Sequence, residues 1–375
     1  VRVLFHSVAP WVPTGYGQQT ALWVPRLASL GHEVAISAFS GLHGASMDWN
    51  GHTVYPGGSH LYGADSLPRH ARHFRPDLII ALCDAWALGP VAMRGLPVAC
   101  WLPVDCAPLG RADHLAITRG RAKTIAMTRH GQKMLTGAGH SPLLVPHGID
   151  TSVFAPQPES GEVLREDLGL AGRFVVGMVA ANSDERRKGW FEQLSAFARL
   201  HSRHDDAVLI AHTSPGQKGG LDLRGLAGDL GIAGAVLWTD DYAAGNGKVT
   251  PQQMARTFAA MHLFSSCSLG EGFGLPLAEA QACGTPAVAT NASAMAEVCG
   301  GWLVDGQPAW HPGHKAKWVV PSIAAIDRVY EKAYQRGGPY QAKAAAAREH
   351  VLQYDADRVL KEHWVPALER LEAML

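Results

Sequence analysis

The stretch GEGFGLPLAEAQACGTPAVAT, residues 270–290, holds two carboxylates eight positions apart, Glu271 and Glu279. A glycine-rich loop leads to Pro276 at a first helical position, and Gly284 supplies the stop. Glu271 therefore falls on the loop and Glu279 about one turn into the helix. Backbone N–H groups without partners at a helix N-terminus favour anions. Gly272 and Gly274 let a ligand approach the backbone with no Cβ in the way. A carboxylate such as Glu279 only accepts hydrogen bonds, which suits a vicinal diol such as the hydroxyls of a ribose. The competing reading is a capped, buried helix with incidental acids, and two carboxylates around this loop argue against it. A second patch, VVGMVAANSDERRKGW at 175–190, runs from a strand through a polar loop with Arg186, Arg187 and Lys188 into a helix. Cations placed there suit a leaving diphosphate, whose negative charge grows as a sugar bond breaks. Alone, such a run more commonly marks a solvated surface.

Apolar strand-like runs alternate with helical patterns along almost the whole chain, the signature of parallel sheets covered by helices. Strands are expected at 3–8, 33–38, 78–82, 98–102, 124–127 and 143–145, with a first helix over 18–30 ending at Gly31. The segment TSVFAPQPESGE has two prolines and no apolar period, and reads as a linker. The pattern restarts with strands at 174–180, 207–211, 236–238, 263–265, 287–289 and 302–304. A helix begins near Trp190, with Leu194, Phe197 and His201 on one stripe. The expected domains are 1–152, 172–352 and a C-terminal helical segment 353–375. The turn PTGYGQQT places Gly15, Tyr16 and Gly17 between the first strand and helix, where any tight turn likes glycine. Asp105, in WLPVDCAPL, follows the 98–102 strand at the carboxyl edge, where ligands bind in such sheets.

Taken together, EGFGLPLAEAQACGTPAVAT resembles the E-x7-E signature of the family 4 retaining glycosyltransferases, including GFGLP and the following A-x-G-x-P. That resemblance implies an α/β GT-B fold: two Rossmann-like, doubly wound parallel-sheet domains facing across a cleft, with a C-terminal helix crossing back to the first. It implies that Glu271 with Gly272, Phe273 and Gly274 contacts the donor sugar, that Leu275 lies near the diphosphate, and that Glu279 holds the ribose. Arg187 and Lys188 resemble the family's phosphate-binding pair, with Arg186 as competitor and Asn182 standing where an arginine is usual. Gly15 and Gly17 resemble the glycine loop that closes over the donor phosphates, with Tyr16 on the acceptor side. Asp105 stands near the position of a family histidine that touches the sugar. VPHGID resembles the segment ending the first domain, so His147 and Asp150 are expected to be architectural. WTDDYAA lies where the family contacts the base, which points to Thr239 and Asp240. The segment YDADRVLKEHWVPALERLEAML resembles the crossing helix, with apolar residues at 359, 360, 364, 368 and 371.

The chain has 375 residues, 33 basic and 33 acidic side chains, 47% apolar and 18% charged residues. This is a soluble, core-rich composition, and its neutrality removes the argument for a bulk nucleic-acid or membrane-surface protein. No run of about 18 apolar residues is present. The opening VRVLFHSVAP reads as a strand without the zones of a signal peptide, so a cytoplasmic location is expected. The six cysteines, at 83, 100, 106, 267, 283 and 299, form no C-x-x-C pair and read as buried thiols. The histidines show no metal spacing, and His70 and His73, in RHARHFR, read as surface residues. Residues 1–150 carry 12 Lys/Arg against 8 Asp/Glu and the remainder 21 against 25, so the first half suits an anionic acceptor.

The reading that follows is a retaining, metal-independent hexosyltransferase using a nucleoside-diphosphate sugar, UDP- or GDP-linked, with no cofactor. D-A-D at 355–357 falls in the last helix, away from any phosphate site. The acceptor remains open among a glycan, a lipid, a small molecule and a nucleic-acid base. A sugar-nucleotide 2-epimerase and a non-catalytic nucleotide-sugar-binding module are the rivals. A glycoside hydrolase would need its carboxylates across a scissile bond.

Overall fold

The computed structural model describes residues 1–240 and 249–374 and separates them into two compact units. The first comprises Val1–Gly148, His311–Lys317 and the segment from Ala356; the second comprises Ile149–Trp310 and Trp318–Asp355.

Eight strands build the sheet of the first unit: β1 (Arg2–Val8), β2 (Glu33–Ser40), β3 (Met47–Trp49), β4 (His52–Tyr55), β5 (Leu78–Leu82), β6 (Val98–Leu102), β7 (Lys123–Ala126) and β8 (Leu143–Leu144). Their order is β3-β4-β2-β1-β5-β6-β7-β8, parallel except for β3 against β4. The central strands are buried along nearly their whole length, as strands covered on both faces must be. The β3–β4 pair was not expected from the sequence. Its readable signal is Asn50–Gly51, whose φ values of 52° and 84° form the left-handed turn that a tight hairpin needs.

The first helix runs over Gly15–Ser29 and starts earlier than expected, because the Thr14 side chain caps it by accepting from Gly17 N–H. Gly15, Tyr16 and Gly17 thus form its first turn rather than a loop. Its Trp23 packs with Trp101 and Trp364, at ring separations of 6.4 and 5.8 Å. His147 stacks edge-on against Trp101 at 4.6 Å, and burial lowers its pKa to about 3, so the ring is neutral. Asp150, the other residue of this segment, accepts from Ser152 N–H at 3.0 Å. His70 is buried, against the surface position expected for it. Ser37 Oγ lies 2.8 Å from its Nδ1 and Tyr55 stacks on its ring, so hydrogen bonds and packing hold it inside. His73 is exposed, with Nδ1 3.0 Å from Tyr55 Oη. The C-terminal segment is not one helix. A short helix, Ala356–Val359, passes through a widened π turn at Leu360–Trp364 into Val365–Glu372. Pro366 has no N–H to continue the ladder, which explains the break in register. Val359, Trp364, Leu368 and Leu371 are buried, while Leu360 is half-buried.

In the second unit, β9 (Phe174–Val179), β10 (Ala207–His212), β11 (Val236–Trp238), β12 (Leu263–Ser266), β13 (Ala287–Thr290) and β14 (Trp302–Val304) form a parallel sheet. Their order is β11-β10-β9-β12-β13-β14. A two-stranded sheet, β15 (Gly306–His311) with β16 (Ala316–Pro321), follows the edge strand β14. The helix Trp190–Arg203 covers this sheet with Trp190, Leu194, Phe197 and Leu200. The expected linker is only partly irregular, since a helix, Pro158–Asp167, starts inside it. Pro158 takes a first-turn position, where the missing N–H costs nothing. All six cysteines are free and buried.

Candidate active site

Strands β9 and β12 are neighbours, so the loops leaving their carboxyl ends lie side by side. Leu269 N–H donates to Arg187 O across 2.7 Å and ties the loops together. Gly189 stands at the crossing with φ +60°, and a Cβ there would come within 2.4 Å of Cys267 O. No other residue fits that position without moving one of the loops.

A buried polar chain reinforces the crossing. Gln193 Oε1 accepts from Ser265 Oγ at 2.7 Å and from Cys267 N–H at 3.0 Å. Gln193 Nε2 donates to Lys188 O at 2.8 Å, and Tyr330 Oη donates to Ser265 Oγ at 2.8 Å. Sequence reasoning missed this residue. Its signal was legible: a glutamine on the inward stripe of Trp190, Leu194 and Phe197 has to find polar partners inside.

On this frame Glu271 meets both cations. Lys188 Nζ lies 2.6 Å from its Oε1, Arg187 Nη1 3.3 Å from its Oε2, and Ser268 Oγ donates to Oε1 at 2.7 Å. Ser293 Oγ accepts from the Glu271 N–H at 3.0 Å. Burial pushes the Glu271 carboxyl up, but Lys188, Arg187 and the hydrogen bonds from Lys188 and Ser268 outweigh it and bring the pKa down to about 2. Arg186, the competitor, is exposed, and its N–H donates to Asp184. Asn182 is fixed by Ser214 O, Leu221 O and Leu221 N–H, a structural role.

The helix after the loop is Leu275–Ala282, with Gly274 at its N-cap, φ +93°, and Pro276 in its first turn. Glu279 is 6% exposed, and no described group hydrogen-bonds its carboxyl; burial pushes the pKa up to about 8. Phe273 is buried, its ring edge-on to Tyr354 at 5.1 Å, so a ligand here would meet its backbone rather than its ring. Gly272 and Leu275 are buried beside it. Thr239 Oγ1 is 3.0 Å from His212 Nδ1 and follows β11, and Asp240 is exposed. The rest of that stretch, residues 241–244, lies outside the described residues.

The structure therefore brings Arg187, Lys188, Glu271, Gly272, Phe273, Gly274, Leu275 and Glu279 together in one unit. Gly15, Tyr16, Gly17 and Asp105 belong to the other. A Cβ on Gly17 would lie 2.2 Å from Val12 O, so the missing side chain there serves the chain's own backbone. Tyr16 packs against the first unit's core. Asp105 lines a small pocket with Asp84, Cys106, Asp113 and His314. Asp355 accepts from Thr151 Oγ1 and Asp357 pairs with Arg26, so neither acid of D-A-D serves a phosphate site.

Residues 173–311 match the model of the glycosyl transferases group 1, and the second unit carries that domain. The chain is 31% identical over 215 residues to a D-inositol 3-phosphate glycosyltransferase of Arthrobacter sp., covering 55% of this chain and 45% of that protein. It is 30% identical over 258 residues to a phosphatidyl-myo-inositol mannosyltransferase of Mycolicibacterium smegmatis, covering 61% of each. The matches thus span less than two thirds of these relatives' lengths. Among solved structures it is similar to sucrose-phosphate synthase from Thermosynechococcus elongatus, with a TM-score of 0.77 at 16% identity over the whole of both chains. HepE of Anabaena, solved with UDP and glucose, gives 0.73 at 19% identity over 98% and 99% of the two chains. The fold is that of the GT-B glycosyltransferases.

Proposed function

We propose that this chain transfers a hexose from a nucleoside-diphosphate sugar to an acceptor hydroxyl, with retention of configuration and without a metal. The observation that carries the proposal is the pair Arg187 and Lys188, held against buried Glu271 beside the N-terminus of a glycine-capped helix. Two cations placed by backbone and buried side chains are pre-organised for a diphosphate and supply the stabilisation that a divalent ion would otherwise give. Glu271 keeps them in place and, with the Gly272–Gly274 backbone, offers acceptors and donors to the sugar hydroxyls. Glu279 offers its carboxyl to the ribose.

In the transfer, the bond from the anomeric carbon to the β-phosphate oxygen breaks and the acceptor oxygen bonds to that carbon on the same face. The acceptor proton passes to a leaving phosphate oxygen. Support for the donor class comes from HepE, solved with UDP and glucose, and from a Mycolicibacterium smegmatis mannosyltransferase named as GDP-mannose-dependent. Asp105 and Tyr16 are the first unit's candidates for the acceptor side. A phosphorylated polyol as an acceptor to try has support from the relatives named for inositol phosphate or phosphatidylinositol.

The test is to incubate the purified chain with UDP-, GDP-, ADP- and dTDP-sugars in EDTA, with and without acceptors, and to measure nucleoside diphosphate release. Release of one diphosphate, lost in Glu271→Ala and Lys188→Ala, is expected. An epimerised sugar nucleotide with no diphosphate released would replace transfer by epimerisation. Binding without turnover across an acceptor library would leave a binding module.

A further inference from the structure

The helix Ile323–Tyr334 sorts its charges by face. Its acids turn toward Arg203 and His204: Arg203 Nη2 is 2.6 Å from Asp327 Oδ1, and His204 Nε2 is 3.0 Å from Glu331 Oε2. Its bases do the opposite. Arg328 and Lys332, four residues apart and therefore neighbours on one face, are exposed and form no ion pair with any described acid. Like charges at that spacing repel each other along a helix, so an anion between them relieves a cost that the empty protein carries.

Both cations line a groove of about 640 Å³ at the carboxyl end of the sheet's edge strand β14. Leu303, Val320 and Pro321 give it an apolar wall, and Leu303 is 41% exposed. Asp305 is the single acid of the lining. Its Oδ1 accepts from Asn291 Nδ2 at 2.8 Å, and its carbonyl accepts from Ser322 N–H at 3.1 Å. The groove is thus cationic on one side and apolar on the other. It shares no lining residue with the site around Glu271.

We infer that this groove binds a small phosphomonoester, a metabolite whose dianionic phosphate lies between Arg328 and Lys332 and whose body rests on the apolar wall. The two cations stand on one helix face and can both be met by the charge of about −1.5 to −2 on a phosphate monoester at neutral pH, where a carboxylate would pair with only one of them. Arginine offers a planar fork to phosphate oxygens and lysine a point charge, the combination that phosphate sites use. The volume exceeds what a bare phosphate fills and falls in the range of metabolite pockets.

The test is calorimetric titration of the whole chain with glucose 6-phosphate, glycerol 3-phosphate, inorganic phosphate and glucose. Wild type, the double variant Arg328→Ala/Lys332→Ala and Lys188→Ala are compared. At least one phosphomonoester is expected to bind wild type and Lys188→Ala alike, and at least tenfold more weakly to the double variant. Binding should also weaken as salt is raised, and glucose should not bind. Both substituted side chains are exposed, so the double variant should keep its thermal midpoint and its nucleotide release. Failure of every phosphomonoester to bind would overturn the inference. So would inorganic phosphate binding as tightly as the esters, which marks a bare anion site. Ester binding lost in Lys188→Ala but kept in the double variant would assign it to the nucleotide site instead.

Discussion

Glu271 and Glu279 are the same residue type, eight positions apart and both buried, yet they are in opposite electrostatic states. The loop holding Glu271 runs beside a second loop that brings Lys188 and Arg187 to it, and its pKa falls to about 2. Glu279 sits on a helix buried along almost its whole length, where burial alone acts on its carboxyl, and its pKa rises to about 8. Burial raises both carboxyls; what separates them is whether a cation came inside with them. The first glutamate is already satisfied by the protein. The second is protonated at neutral pH and poised to take hydrogen bonds from something else.

The sharpest break of this contrast is Lys188→Ala. It should lower nucleotide release by roughly 100-fold or more if, as proposed, Lys188 donates to the leaving group. Glu271→Ala should abolish release and should also destabilise the fold by about 3 kcal/mol, because it removes the buried carboxylate that Lys188 and Arg187 both meet. Denaturant midpoints separate the two effects. Next in size is Glu279→Gln. If the ribose hydroxyls use the ionised carboxyl, donor binding below pH 8 must expel a proton, and affinity should rise with pH up to about 8. Calorimetry in two buffers of different ionisation enthalpy would register that proton; Glu279→Gln should bind the donor roughly tenfold more weakly and release none.

The two glutamates also pull stability in opposite directions. Glu279, raised above its ordinary value of 4.5, holds a proton in the folded state that the unfolded chain gives up. Its contribution to stability therefore falls as pH rises from about 4.5 to 8. Glu271, held below that value, contributes stability that is present above about pH 4.5 and is lost as pH falls toward 2. Glu279→Gln should accordingly flatten the thermal midpoint between about pH 4.5 and 8 and leave the loss below about pH 4.5 unchanged. The smallest effects lie behind the cations. Gln193→Leu strands Ser265 Oγ, Cys267 N–H and Lys188 O, which should cost roughly 2 kcal/mol and raise the KM for donor more than it lowers kcat. Tyr330→Phe removes only the outermost bond, and should cost about 1 kcal/mol with donor binding intact.

Much of this was legible in the chain. The two sheets announce themselves because strands buried on both faces read as continuous apolar runs, as in LIIAL of β5 and FVVGMV of β9. The site loops are legible through Gly274, Pro276 and Gly284, which punctuate one short helix. Other features depend on partners distant in sequence. Nothing local to RHARHFR says that Ser37 and Tyr55 will draw His70 inside while His73 stays out. The Gly15–Gly17 stretch reads as a loop until Thr14 is seen to cap it into a helix, with Val12 O filling the space beside Gly17. The break at Leu360–Trp364 was hidden because a stripe of apolar residues reads the same through a π turn as through a regular helix.

The division of the chain has a consequence for the order in which the protein can be made. The first unit owns residues 1–148, yet it also owns 311–317 and the stretch from Ala356. Trp364, from that last stretch, stands 5.0 Å from Trp101 and 5.8 Å from Trp23. A nascent chain emerging from the ribosome thus exposes two tryptophans of the first unit's core early and must wait until the second unit has been synthesised before the third arrives. The unit that begins first is completed last, and a fragment ending at residue 148 is an unfinished core rather than a domain.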